Sequence, residues 1–127
     1  MKLALDTNAY RAFTEGQEKT VSLIRRADII GIPVPVLAEL RYGFLAGTQG
    51  RRNEAFLLKF LDSARVKILV CDEQTSHHYS EIKLQLKKQG TPIPINDVWI
   101  AALTLQHAMT LLTYDKDFKN IPQIPIA

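Results

Sequence analysis

The sequence has one cysteine, no long apolar run and no large surplus of charge of either sign. Cys71 cannot form an internal disulfide, which fits a reducing compartment, so we expect a cytoplasmic protein. No apolar stretch approaches the roughly 20 residues that a membrane span requires. The opening MKLALDTN lacks the apolar core of a signal peptide, so no membrane partner is expected.

The overall composition is that of an ordinary globular protein. Apolar residues make up 46% of the chain and charged residues 23%, which excludes disordered and collagen-like classes. A chain of 127 residues predicts one domain, residues 1–127, with one core. The net charge of +3 suits a polyanionic partner such as nucleic acid but does not require one.

Short apolar segments alternate with segments of helical periodicity. We predict strands at residues 2–5, 29–32, 66–71 and 109–113, and a short edge strand at 124–126. We predict helices at residues 9–13, 18–27, 36–46, 51–65, 73–89 and 98–107. Asp72 is the expected N-cap and Gly90 the C-cap of the fifth helix. Pro33 and Pro35 are expected outside the sheet, just ahead of the third helix. The alternation indicates an α/β fold with helices on both faces of a parallel sheet of four to five strands.

Four acidic residues fall at one edge of this predicted sheet. Asp6 ends the first strand, Glu39 lies near the start of the helix after the second strand, and Asp115 follows the fourth strand. Asp97 starts the helix that leads into the fourth strand. Because that helix runs back over the sheet, its first turn lies where the strand ends, so Asp97 and Asp115 should face each other. Open α/β sheets place their binding sites at this edge.

Four crowded carboxylates repel one another unless a cation neutralises them. Mg²⁺ and Mn²⁺ prefer oxygen ligands, and such an ion favours phosphodiester hydrolysis. Taken singly, Asp6 and Asp97 are more typical of helix N-caps, and Asp115 of a turn residue. Glu39 stands beside a buried stripe and has no obvious structural role.

The four acids lie within LALDTN, PVLAELRYG, INDVWIAA and LLTYDKDF, in this order along the chain. This arrangement resembles the PIN-domain ribonucleases of the VapC toxin type over nearly the whole sequence. The resemblance implies a PIN-like three-layer α/β/α fold, cleavage of RNA that depends on Mg²⁺ or on Mn²⁺, a homodimer, and a VapB-type antitoxin whose tail blocks the site.

Carried over to this sequence, the family's catalytic acids would be Asp6, Glu39, Asp97 and Asp115. The resemblance implies that Asp6, Asp97 and Asp115 hold the metal ion. Hydrogen bonds to these carboxylates or to bound water would come from Thr7, Asn8 and Thr113. Asp117 is a second candidate for the fourth acid, because some similar sequences keep an acid only at that position.

Several other side chains have more than one interpretation. Arg11 and Arg41 are predicted to contact substrate phosphates, because they lie close in sequence to Asp6 and Glu39. Cys71 is predicted to be a core residue, and Trp99 a core residue or a dimer contact, with a base-stacking platform as the alternative. Another set fits equally well in the core and in an antitoxin or dimer contact: Leu37, Phe44, Phe56 and Phe60.

The sequence leaves alternative functions open. One is a housekeeping PIN nuclease that trims structured RNA or DNA, and another is a catalytically inert RNA-binding PIN domain. A phosphoaspartyl phosphatase would have a second Asp two residues after Asp6, where this chain has Asn8, and a receiver domain would have a Lys late in the sheet. Among RNA substrates, transfer RNA is the one we favour.

Overall fold

A parallel sheet of four strands forms the centre of the computed structural model, which describes all 127 residues. The strands are β1 (Lys2–Leu5), β2 (Ile29–Pro33), β3 (Val66–Leu69) and β4 (Thr110–Leu112). They lie side by side in the order β3, β2, β1, β4. Six helices surround them: α1 (Thr7–Thr14), α2 (Glu18–Arg26), α3 (Val34–Ala46), α4 (Gly50–Leu61), α5 (Glu73–Gln89) and α6 (Ile95–Gln106). The predicted α/β fold with a parallel sheet is confirmed.

Strand β1 lies in the middle of the sheet and is wholly apolar where it is buried. Leu3, Ala4 and Leu5 are all fully buried. Successive side chains of a strand point to opposite faces of the sheet, so both faces of β1 are covered by helices. In the neighbouring strand, a Cβ on Gly31 would come within 2.7 Å of the Met109 sulfur and 2.8 Å of a Leu69 methyl. Glycine therefore allows close packing at the centre of the sheet.

Helix α5 follows the sequence prediction at both ends. The Asp72 carboxylate accepts a hydrogen bond from the Thr75 amide while the Thr75 hydroxyl accepts one from the Asp72 amide, which is a capping box. Gly90 ends the helix in the left-handed conformation. Helix α4 ends earlier than predicted, at Leu61, and beyond that end the Arg65 guanidinium donates a hydrogen bond to the carbonyl of Ile24 at 3.1 Å.

Two predictions about helix starts were wrong. Pro33 is the last residue of β2 and pairs with Leu69, so a proline does lie within the sheet. Its φ of −64° and ψ of 142° are extended, and the end of a strand tolerates a missing amide donor. Helix α6 begins at Ile95, after Pro94, so Asp97 lies in its first turn and is not its N-cap.

The edges of the sheet also differ from the prediction. Strand β3 is an edge strand that ends at Leu69, and Cys71 lies beyond it, exposed to solvent, so Cys71 is not a core residue. On the other edge, the predicted fifth strand is reduced to one bridge between Ile126 and Leu111. A 3₁₀ helix, Lys116–Asn120, precedes that bridge and was not predicted. No helix has the length and apolarity needed to cross a membrane.

Candidate active site

A polar cleft of about 490 Å³ opens at the carboxyl ends of the strands, and we call it the acidic cleft. All four predicted acids line it, although β1, α3, α6 and the loop after β4 supply them from distant parts of the sequence. Its lining residues are Asp6, Thr7, Asn8, Arg11, Glu39, Pro94, Ile95, Asn96, Asp97, Ile100 and Asp115. The predicted juxtaposition of the acids at one sheet edge is therefore present.

Asp6 is a buried carboxylate held by two other elements. Its Oδ1 accepts a hydrogen bond from the Ala9 amide at 2.8 Å, which caps α1, and its Oδ2 accepts one from the Thr113 hydroxyl at the end of β4. Burial raises the pKa of Asp6, the two hydrogen bonds lower it, and the nearby Asp115 and Glu39 raise it. The cap role and the site role coexist in one side chain.

The Thr7 hydroxyl donates a hydrogen bond of 2.9 Å to Oε1 of Glu39. Thr7 is buried at the start of α1, and Glu39 is partly buried on α3. This bond orients the one acid for which the sequence offered no structural role. Oε2 of Glu39 makes no hydrogen bond within the protein, so it is available to a ligand or to water.

Asp97 is an acid of the cleft with a strongly raised pKa. Burial raises its pKa to about 6, and the negative charges of Asp115, Glu39, Asp6 and Asp117 contribute in that order. Four separate carboxylates therefore act on Asp97 at once. Without a compensating cation, the acidic cleft disfavours the ionised form of this side chain.

Asp115 and Asp117 have different positions. Asp115 lines the acidic cleft, its amide donates to the Thr113 hydroxyl at 3.0 Å, and its carboxylate accepts from the Asp117 amide at 2.9 Å. Asp117 is exposed and does not line the cleft. The geometry favours Asp115 as the fourth acid.

The cleft offers the oxygen donors that a hard divalent cation prefers. No three of the His, Cys, Asp and Glu side chains lie close enough together to ligate one ion directly. Mg²⁺ commonly binds through one or two carboxylates and keeps several of its waters, so the residues present fit such an ion. Asp6, Asp97 and Asp115 would hold it, partly through water.

The two arginines predicted to contact substrate lie in different environments. Arg11 lines the acidic cleft, whereas Arg41 does not, because its guanidinium forms a bidentate ion pair with Glu54 at 3.0 Å for both bonds and so joins α3 to α4. The prediction that Arg41 contacts substrate is not supported by its position. Asn96, an exposed amide that also lines the cleft, was not predicted, although its position directly before Asp97 could have indicated it.

A second cavity of about 670 Å³ lies between α1, α3 and α4, and we call it the aromatic groove. Tyr10, Phe44 and Phe56 line it, and the Tyr10 ring packs edge-on against Phe60 at 5.3 Å between centroids. The Tyr10 hydroxyl is buried and has no hydrogen-bond partner. Of the residues with two interpretations, Leu37 is core, whereas Phe56 is half exposed in this groove. The cations at the groove are Arg11, Arg52 and Lys59.

Comparisons with known proteins agree with this architecture. A family model described as PIN domain matches residues 3–124. Ribonuclease VapC5 of Mycobacterium tuberculosis is 31% identical over 114 residues, which cover 90% of this chain and 83% of that protein. The tRNA(fMet)-specific endonuclease VapC of Salmonella typhimurium is 31% identical over 91 residues, covering 71% of this chain and 67% of that protein. A crystal structure of VapBC2 from Rickettsia felis bound to a promoter DNA fragment matches with a TM-score of 0.86 and 28% identity, covering 100% of this chain and 98% of that one.

Proposed function

Since this chain belongs to the PIN domain family and to the VapC ribonucleases within it, we propose that it is a metal-dependent endoribonuclease and the toxin of a VapBC-type toxin–antitoxin pair. The observation that carries the proposal is the acidic cleft, where Asp6, Glu39, Asp97 and Asp115 meet at the carboxyl ends of the strands. The raised pKa of Asp97 supports a site that is completed by a cation.

Each side chain has a separate task in this proposal. Asp6, Asp97 and Asp115 would hold Mg²⁺, or Mn²⁺ in its place, and hydrogen bonds from Thr113 and the Ala9 amide fix the Asp6 carboxylate. When bound, the cation supplies Lewis acidity, which activates water and stabilises the negative charge that builds on a phosphate oxygen.

Proton transfer and phosphate binding fall to the neighbouring side chains. Glu39 is oriented through Oε1 by Thr7, and its Oε2 accepts a proton from the attacking water. Arg11, on the rim of the acidic cleft, contacts a neighbouring phosphate of the RNA, and Asn8 hydrogen-bonds to bound water.

We propose transfer RNA as the substrate class. The cleft is open and polar, as a site for a phosphodiester backbone must be, and the Salmonella relative is named as a tRNA(fMet)-specific endonuclease. The exposed free thiol of Cys71 suits a reducing cytoplasm, where this substrate is abundant. Residues 1–127 act as one domain in this proposal.

We propose that the aromatic groove receives the VapB-type antitoxin. Its floor is apolar, its rim carries Arg11, Arg52 and Lys59, and the Tyr10 hydroxyl lacks an acceptor. The apolar floor and the cationic rim fit an amphipathic segment with apolar anchors and acidic side chains, whereas the buried Tyr10 hydroxyl lies beneath that surface. Arg11 lines both cavities, so an antitoxin in the groove lies beside the acidic cleft.

We propose a homodimer through α3. Apolar residues lie on the solvent-facing side of this helix at spacings of three and four, namely Val34, Ala38, Tyr42 and Leu45. Tyr42 is 75% exposed and Leu45 is 88% exposed, which is high for large apolar side chains. Leu45→Lys should convert the dimer to a monomer in light scattering, whereas Leu84→Lys, at a 52% exposed position on α5, should not.

The experiment that tests the function compares the wild type with Asp6→Asn and Asp72→Asn in bacterial cells. Asp72 is the matched control because it also follows a strand and caps a helix but lies outside the acidic cleft, and Asn retains capping ability. We expect growth arrest and a few discrete new 5′ RNA ends with the wild type and Asp72→Asn, and neither with Asp6→Asn. Equal toxicity of wild type and Asp6→Asn would contradict metal-dependent cleavage.

A further inference from the structure

Tyr114 stands between Thr113, which donates a hydrogen bond to Asp6, and Asp115, which lines the acidic cleft. Its hydroxyl is hydrogen-bonded to the Thr20 hydroxyl in α2, 94 residues away in the sequence. Thr20 is completely buried, which is unusual for a hydroxyl on an amphipathic helix, whereas Tyr114 is 45% exposed. The contact therefore joins a surface loop to a buried polar group.

The direction of this hydrogen bond follows from the number of protons available. A threonine hydroxyl has one proton, and Thr20 donates it to the side-chain oxygen of Gln17. Thr20 must therefore accept from Tyr114. The result is a directed chain from Tyr114 through Thr20 to Gln17, at the start of α2, and replacement of the phenol hydroxyl removes its first donor.

The neighbours of Tyr114 face the opposite way, toward the acids. Thr113 is buried and donates to Asp6, and Asp115 lines the cleft and donates its amide to Thr113. The segment from Thr113 to Asp115 is thus held by Asp6 on one side and by Thr20 on the other. Two attachments on opposite sides restrict its rotation more than either does alone.

We propose that Tyr114 is a positioning residue for Asp115, and that the Tyr114–Thr20 hydrogen bond fixes the direction in which the Asp115 carboxylate enters the acidic cleft. The inference rests on the proposed function only in assigning Asp115 to the cation. Nothing in the motif around Asp115 indicated this role for Tyr114, because its partner lies in α2.

Thr20→Val is the sharpest test, since valine keeps the shape of threonine and the substitution is remote in sequence from Asp115. In nitrogen-15 NMR spectra of the metal-free protein, we expect Thr20→Val to shift the Asp115 amide resonance. We further expect it to weaken Mg²⁺ binding, followed at the same amide, about three- to tenfold, the range typical of one lost hydrogen bond. Thr20→Ser, which keeps the hydroxyl, should restore both values.

Two further comparisons distinguish an effect on the position of Asp115 from a general loss of rigidity in the protein. Tyr114→Phe should weaken Mg²⁺ binding as much as Thr20→Val, and the double variant should be no worse than either single variant. Tyr79→Phe is the matched control, since its hydroxyl accepts only from Lys83 at the surface, and it should leave Mg²⁺ binding unchanged. In RNA cleavage, kcat should fall several-fold while KM stays within about twofold.

An unchanged Asp115 amide and unchanged Mg²⁺ affinity in Thr20→Val would overturn the inference, because the hydrogen bond would then serve only to fasten α2. Additive losses in the double variant would overturn it as well. If the wild type cleaves no RNA, the proposed function fails, yet the amide shift in the metal-free protein still decides whether Thr20 positions Asp115.

Discussion

The acidic cleft and the aromatic groove both have Arg11 on their borders, but they suit ligands of opposite character. In the cleft, burial and then the neighbouring carboxylates raise the pKa of Asp97 to about 6, which favours the binding of a cation. The groove presents apolar side chains beside three cations and so fits an apolar, acidic ligand. The acidic cleft is therefore expected to respond to metal ions and pH, and the aromatic groove to a protein partner.

Their construction differs as well. The cleft joins elements from the two ends of the chain, and hydrogen bonds such as Thr7 to Glu39 and Thr113 to Asp6 hold its acids. The groove lies between three helices near one another in sequence, and the Arg41–Glu54 ion pair joins two of them. Substitutions in the cleft should therefore affect catalysis and not partner binding, and substitutions in the groove should do the reverse.

The largest effect is expected from Asp115→Asn compared with Asp117→Asn. Asp115 lines the acidic cleft and Asp117 does not, so we expect the first substitution to reduce RNA cleavage more than about 100-fold and the second less than about threefold. Cleavage of a labelled transfer RNA at saturating Mg²⁺ measures both. A larger loss from Asp117→Asn would move the fourth acid to that position.

A smaller effect is expected in the groove from Phe56→Asp. Phe56 is 48% exposed, so the fold should tolerate the charge, whereas an apolar anchor of the antitoxin should not, and we expect about a 30-fold loss of antitoxin affinity. Leu58→Asp is the control, because Leu58 is 54% exposed on the same helix but does not line the groove. Equal losses from both would show that the antitoxin docks elsewhere on α4.

Asp97→Asn should stabilise the metal-free protein at pH 7 by about 1–2 kcal/mol, a discounted conversion of its raised pKa. Because the folded state holds this proton more tightly than the unfolded chain does, wild-type stability falls as the pH rises from about 4 to about 6. Asp97→Asn should reduce this fall, with a remainder from Asp6, whose pKa is also raised, and Mg²⁺ should reduce it in the wild type. Urea unfolding at several pH values in the presence of a chelator measures the difference.

Asp72→Asn is the reference for that experiment. Hydrogen bonds, first from the Thr75 amide and then from Gln106, lower the pKa of Asp72. The folded state therefore favours the ionised form of Asp72, the opposite of Asp97, and Asp72→Asn should not stabilise the protein. A stability gain in both variants would point to net charge and not to the crowding of acids around Asp97.

The smallest effect is expected from Tyr10→Phe. Burial, and then the charge of Glu54, raise the pKa of Tyr10 to about 12, so the hydroxyl stays protonated and can only gain from an acceptor. Its removal should leave the free protein as stable or slightly more stable, by up to about 1 kcal/mol, and should change antitoxin binding by less than about twofold, because the buried hydroxyl does not reach the groove surface. Thermal unfolding and binding measurements on the same preparation separate these outcomes.

The two regions also differ in how far the sequence predicts them. The acids of the cleft were predictable because the order of strands and helices brings Asp6, Glu39, Asp97 and Asp115 to one edge, where a cap or a turn accounts for single acids but not for four together. The groove was not predictable, because Phe44 and Phe56 fit a core equally well, and only tertiary packing decides which apolar face stays exposed. The ion pair that occupies Arg41 and the exposure of Cys71 depend on long-range contacts in the same way.

The register of β1 with β4 has a consequence for synthesis on the ribosome. Leu5 pairs with Leu112, and the Asp6 amide donates to the Leu112 carbonyl, so the first acid meets its partners only when the last strand is made. A nascent chain that lacks β4 therefore carries Asp6 and Glu39 without the partners that would complete the acidic cleft, which assembles only after β4 has been made.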